Sequence, residues 1–103
     1  MSEFELHRVT IEDFSRLVGD SFEASPAEGE AAAATLTLVS ATARAQSREG
    51  HRTPFSLIFD GPSATPFMQQ IIWLTNPKTG TMGIFLVPVS DDSQTRRYEA
   101  IFN

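Results

Sequence analysis

The chain has 103 residues and a formal net charge of −5, with 41% hydrophobic and 20% charged residues, eight Phe and no Cys. That length fits one domain, residues 1–103, which can bury a core without staples, and the lack of Cys excludes disulfides, thiolate nucleophiles and thiolate metal sites. Residues 1–30 hold eight acids and two bases, and residues 31–103 five acids and six bases; one modest basic group, Arg44, Arg48 and Arg52, does not make the clustered positive surface that a nucleic-acid partner requires.

In chain order, MSEFELHRVT has no apolar run of signal-peptide length, and no later run would span a bilayer as a helix. The expectation is a cytoplasmic protein with no membrane partner. Phe4 and Leu6 alternate with Glu3, Glu5 and His7, which suits a short extended arm. Thr10 is placed to cap a helix, with Glu12 and Asp13 complementing the helix dipole. Ile11, Phe14, Leu17 and Val18 recur at three- and four-residue spacing, and Gly19 is placed to end the helix in a left-handed conformation. Two turns are too short to hold alone, so this helix must pack on the sheet.

Asp20 to Ser25 reads as a short strand with Phe22 inward, and Pro26 with Gly29 marks a loop. Thr35 to Val39 alternates and is β-rich, which predicts a strand from Ala33 to Thr42 despite the preceding alanines. The polar stretch 43–53 is longer than a tight hairpin loop. Four apolar runs follow closely: FSLIFDGP, MQQIIWLTNP, MGIFLVPVS and RRYEAIFN. Their spacing predicts a consecutive antiparallel meander. Gly61 and Pro62 stop the first run, and Asn76 to Gly80 supplies a turn in which Gly80 takes positive φ.

In the second run Ile71 and Trp73 share one face while Ile72 and Leu74 share the other, so both faces read as covered; the third run, Met82 to Val87, is again apolar on both sides. Pro88 cannot donate to a ladder, which places that end at an edge or a bulge. Tyr98, Ala100 and Phe102 alternate with Arg97, Glu99 and Ile101. About six strands of this kind predict a mainly β fold, a small antiparallel barrel or two-layered sheet with one short N-terminal helix.

The phrases VTIEDFSRLVGDSF, PFSLIFDGP, LTNPKTGTMGIFLVPV and RRYEAIFN together resemble an uncharacterised family of bacterial β-rich domains of about 100 residues. The resemblance spans nearly the whole chain. It implies a small β-rich domain and an association with phage-tail-collar-like proteins, and it brings no catalytic residues. The family pattern often has His before the proline of the central turn; Asn76 stands there in this chain, and no catalytic role is assigned to it.

No catalytic, cofactor or metal motif emerges from the residues. Ser56, His51 and Asp60 are the right types for nucleophilic catalysis, but Ser56 sits on a predicted strand without a nucleophile elbow. His7 and His51 lack zinc-ligand spacing, Asp91 and Asp92 lack the ligand series of a calcium loop, and Lys78-Thr79-Gly80 is a turn rather than a phosphate loop. Two readings of function follow. In the favoured one, a non-enzymatic interaction or assembly-accessory domain presents the Arg44 to Thr53 loop, with Arg44, Arg48, His51 and Arg52, and an edge strand to another protein. In the other, Phe55, Phe59, Trp73 and Phe85 line a small-ligand pocket inside the barrel.

Overall fold

The computed structural model describes residues 9–44 and 52–103. Among these the chain forms a helix α1 (Ile11–Ser15) and six strands: β1 (Ser21–Ser25), β2 (Ala34–Ala43), β3 (Phe55–Pro62), β4 (Gln70–Asn76), β5 (Gly80–Asp91) and β6 (Thr95–Phe102). Every pairing is antiparallel, and the order β1-β2-β3-β6-β5-β4 closes on itself through β1 and β4. The barrel alternative of the sequence reading is therefore the observed one. Closure leaves no outermost strand, and unpaired edges remain between β5 and β6 only beyond the Val87↔Glu99 rung among the described residues.

Strand alternation divides inside from outside as the sequence indicated. Phe55, Leu57 and Phe59 of β3, Ile72 and Leu74 of β4, Met82, Ile84 and Leu86 of β5, and Tyr98 and Ala100 of β6 are all buried. Phe22 and Leu36 join them from the other side of the barrel. Pro88 sits at a register shift between Pro88 and Ser90, so the bulge, not an edge, accommodates its missing N–H. A second shift, between Leu38 and Ser40, leaves Val39 on the surface.

The connectivity differs from the expected meander. β3 pairs with β6 along eight rungs, Phe55↔Phe102 to Pro62↔Thr95, and not with β4. The result is a Greek key, in which β4, β5 and β6 are consecutive hairpins and β6 returns to lie beside β3. Two causes are visible. The segment 63–69 is too long for a tight hairpin and instead crosses the barrel, burying Thr65 and Phe67. The β3–β6 register also sets aromatic residues opposite one another, Phe55 with Phe102 and Phe59 with Tyr98.

The helix is shorter than its sequence signals suggested. Thr10 is the N-cap, as expected, and Asp13 three residues on completes a capping box, its Oδ2 accepting the Thr10 backbone N–H at 2.8 Å and the Thr10 hydroxyl at 3.3 Å. Ser15 Oγ donates back to the Ile11 carbonyl at 2.9 Å, and the Leu17 N–H turns tightly onto Phe14 O at 2.8 Å. Gly19 takes φ 95° as expected, but its N–H donates to Leu38 O at 2.7 Å, tying the chain to β2 instead of finishing a longer helix.

Both ends of the barrel interior are filled. At one end Phe14 lies 5.9 Å from the Phe55 ring and 5.6 Å from the Phe102 ring, while those two stack at 4.8 Å and 6°. Toward the other end Phe67 meets Tyr98 edge-on at 6.5 Å, and the Tyr98 hydroxyl donates to Phe67 O at 3.0 Å. Such aromatic pairs each contribute about 0.5–1.5 kcal/mol beyond burial.

Burial raises the Tyr98 phenol above the ordinary tyrosine range, against the opposing pull of Arg96. The phenol is neutral when protonated, so the fold binds this proton more tightly than the unfolded chain does. Its contribution is present below the ordinary tyrosine range and is lost as pH rises through the raised value. Tyr98 is the chain's one tyrosine, so tyrosinate absorbance reads it alone. Ionisation is expected above the ordinary range and together with unfolding. Tyr98→Phe should lose about 1–2 kcal/mol at neutral pH and remove that part of the alkaline loss, measured by denaturant unfolding across pH; a free-tyrosine titration in the folded protein would contradict this account.

Candidate functional site

The outward residues of β4 and of the middle of β5 are mostly apolar, Ile71 and Trp73 on one and Gly83, Phe85 and Val87 on the other, and β6 adds Ile101 beyond Arg97 and Glu99. Ile71 stands opposite Phe85 and Trp73 opposite Gly83 across the β4–β5 ladder. A Cβ on Gly83 would fall 2.6–2.9 Å from three carbons of the Trp73 ring, so only glycine lets the indole lie across β5 at this rung. Ile71 and Phe85 are each 51% exposed and Ile101 of β6 is 48% exposed. The sequence suggested that both faces of β4 and β5 would be covered; one face is open to solvent.

This face is interrupted by a groove. The β5–β6 ladder runs from Asp91↔Arg96 to Val87↔Glu99 and stops there. Before Val87, β5 follows β4, from Asn76↔Gly80 to Gln70↔Leu86; after Glu99, β6 follows β3, through Leu57↔Ala100 to Phe55↔Phe102. The two strands part, and the gap is a groove of about 390 Å³. Gly83, Ile84 and Phe85 line one lip, Ile101 and Phe102 the other, and Val87 and Glu99 the closed end. Glu99 is half-buried, and among the described residues its carboxylate has no hydrogen-bond or ion-pair partner.

Several other polar side chains are committed to the fold. Arg97 holds Asp60 with two bonds, Nε to Oδ1 at 2.7 Å and Nη2 to Oδ2 at 2.9 Å, across the Asp60↔Arg97 rung. Asp92 accepts the Gln94 and Thr95 N–H groups at 2.8 and 2.7 Å, and these bonds hold its carboxyl below the ordinary range. Asp91 lies 3.9 Å from Arg96. Asn76 is buried at the β4–β5 turn, where its amide donates to Ser21 O at 3.0 Å and its oxygen accepts the Lys78 N–H at 2.7 Å. Among the described residues no group of three or more His, Cys, Asp or Glu is placed to hold a metal ion.

The residues singled out from sequence do not converge. Arg48 and His51 lie outside the described residues, as do the Phe4–Leu6 arm and His7. Arg44 is exposed and its backbone N–H donates to Pro54 O at 2.8 Å. Arg52 is turned onto the barrel end: Nη1 donates to Val9 O at 2.7 Å, Nε to Asn103 O at 2.9 Å, and the guanidinium lies 5.8 Å from the Phe55 centroid and 5.5 Å from that of Phe102. Of the four aromatics assigned to an internal pocket, Phe55 and Phe59 are core and Phe85 is on the outer face with the half-buried Trp73. They cannot line one cavity, because Phe55 and Phe59 occupy inward positions of β3 while Trp73 and Phe85 occupy outward positions of β4 and β5. Ser56 and Asp60 share the outer face of β3, with Asp60 occupied by Arg97. Glu99 and Ile101 were not among the sequence candidates, although an Ile alternating with charged residues on an outward face was the available signal.

Two substitutions test this geometry. Gly83→Ala should displace the indole, costing about 1–3 kcal/mol and shifting the emission of the protein's one tryptophan; unchanged fluorescence would contradict the close approach. Arg52→Lys keeps the charge but not the two-pronged geometry. A loss of about 1–2 kcal/mol in denaturant unfolding is expected, and a wild-type midpoint would show that the latch adds nothing.

No curated protein and no solved structure matches the chain. A family model does, over residues 9–102, a span that runs from the residue before the helix cap through the last residue of β6. The chain belongs to the family described as Domain of unknown function (DUF6916).

Proposed function

We propose that this domain is a non-enzymatic protein-interaction module, and that it docks its partner on the outer face of β4, β5 and β6. The observation that carries this reading is the apolar band of Ile71, Phe85 and Ile101 on the surface of a barrel whose interior is already packed. Each of these side chains gives up water contact if a partner covers it, worth about 25 cal/mol per Å² of apolar area removed from water. The internal-carrier reading has less support: Phe22, Leu36, Leu38, Phe59, Leu74 and Tyr98 take up the interior with no exposure. The resemblance to bacterial domains associated with phage-tail-like proteins favours an assembly-accessory role, in which the partner belongs to a larger protein assembly.

The test is affinity purification of the tagged full-length chain from its native host, with Phe85→Asp in parallel. Phe85 is half exposed, so the variant should keep its midpoint within about 3 °C of wild type. A specific protein should be enriched by wild type and reduced about tenfold or more by the variant. Enrichment of no specific protein, or enrichment indifferent to both Phe85→Asp and Ile101→Asp, would remove the reading.

A further inference from the structure

We infer that the groove between β5 and β6 accepts an extended peptide segment as an added strand, with a Lys or Arg of that segment paired to Glu99. This rests on the interaction reading above and names the chemistry of the partner. Three observations carry it. The first is the interrupted ladder. Continued past Val87↔Glu99 in the same register, it would set Phe85 opposite Ile101, yet β5 and β6 form no rung there. Backbone N–H and C=O groups along such lips are satisfied by water or by another strand, and adding a strand is a recurrent mode of peptide recognition.

The second observation is the side-chain pattern on the lips. Phe85 and Ile101 face outward on either side of the gap, with Gly83 and Val87 at two-residue spacing from Phe85. A strand laid between them would project every second side chain onto this apolar surface. The volume, about 390 Å³, is at the small end for ligand sites and suits a few residues of extended chain.

The third is charge. Glu99 ends the groove among Val87, Phe85 and Ile101, half-buried and with no partner among the described residues. A carboxylate in that setting is matched by a cation better than by water. A second copy of this chain is a poorer occupant, because each copy brings a net charge of −5 to the contact.

The test uses the folded full-length chain as bait and a phage-displayed random heptapeptide library as probe. Enriched peptides should share apolar residues at alternate positions with one Lys or Arg. The best of them, synthesised and titrated, should shift the backbone amides of residues 83–87 and 99–102 in NMR spectra. Glu99→Gln should weaken its binding about tenfold or more, and acetylation of its lysine, or citrulline in place of its arginine, should do the same. No shared pattern, shifts elsewhere on the barrel, or affinity indifferent to Glu99 would overturn the inference. So would a concentration-dependent dimer lost in Glu99→Gln, which assigns the groove to a second copy. Binding that appears only when Phe4→Ser and Leu6→Ser are introduced would overturn it too, by assigning the groove to the chain's own first residues. Any of these results, with a native partner still lost in Phe85→Asp, leaves the interaction reading standing and removes only the peptide-strand site.

Discussion

The cluster of Phe14 against the stacked Phe55 and Phe102, closed from outside by Arg52, is the contact on which the rest of the architecture depends. It joins the helix, the first residue of β3 and the last residue of β6 in one cluster. Arg52 adds hydrogen bonds to Val9 O and Asn103 O, so the entry to the helix and the exit from β6 are held by one guanidinium. Arginine suits this place because a planar group can lie near ring faces while its N–H groups reach carbonyls at its rim. The arrangement holds β6 against β3 through the final rung.

An open seam in an otherwise closed barrel follows from that anchoring together with a second one. β5 is the longest strand and serves two neighbours in succession, β4 along its first half and β6 along its second. The Pro88 bulge lies in the part paired with β6, and bulges bend and twist the strand that carries them. The first half of β5 stays with β4, which β1 holds in turn. The two lips of the seam are therefore fixed by different contacts, one by the aromatic stack and the other by the β1–β4–β5 side. Neither can move to close the gap without giving up rungs already made.

Much of the barrel was legible because strand alternation is a strong signal and the turns carry residues with few conformational alternatives. Gly80 has φ 70° at the place the turn residues indicated, and Tyr98 and Ala100 point inward as their spacing implied. The order of the strands was not legible. Local spacing identifies strands one at a time, whereas the choice of β6 over β4 as neighbour of β3 rests on contacts between residues far apart in the chain, from Pro62 with Thr95 to Phe55 with Phe102. The site was harder still. An apolar outward face and an apolar inward face look identical in sequence, so Trp73 and Phe85 were grouped with Phe55 and Phe59 although the barrel wall separates them. Arg52 misled for a related reason: arginine in a polar loop suggests recognition, and nothing local indicates that two carbonyls and two rings lie within its reach.

The distribution of polar contacts bears on function as much as the apolar band does. A surface carboxylate gains little from an ion pair in water, on the order of 0–1 kcal/mol, so the partners of Asp60 and Asp91 matter chiefly for register and turn geometry. Asp60 and Arg97 occupy one rung of β3–β6, and Asp92 closes the turn into β6. Asn76 pins the β4–β5 turn to β1. These groups share a trait: their hydrogen-bonding capacity faces the protein's own backbone or a neighbouring strand. Glu99 differs. It occupies the last β5–β6 rung, where a cross-strand partner is the hydrophobic Val87 and the next outward residue along β6 is Ile101. A lysine or arginine opposite would have closed the rung with a pair, as Arg97 does for Asp60. Val87 in that place leaves the carboxylate turned toward the groove, with its charge available to whatever enters along the seam.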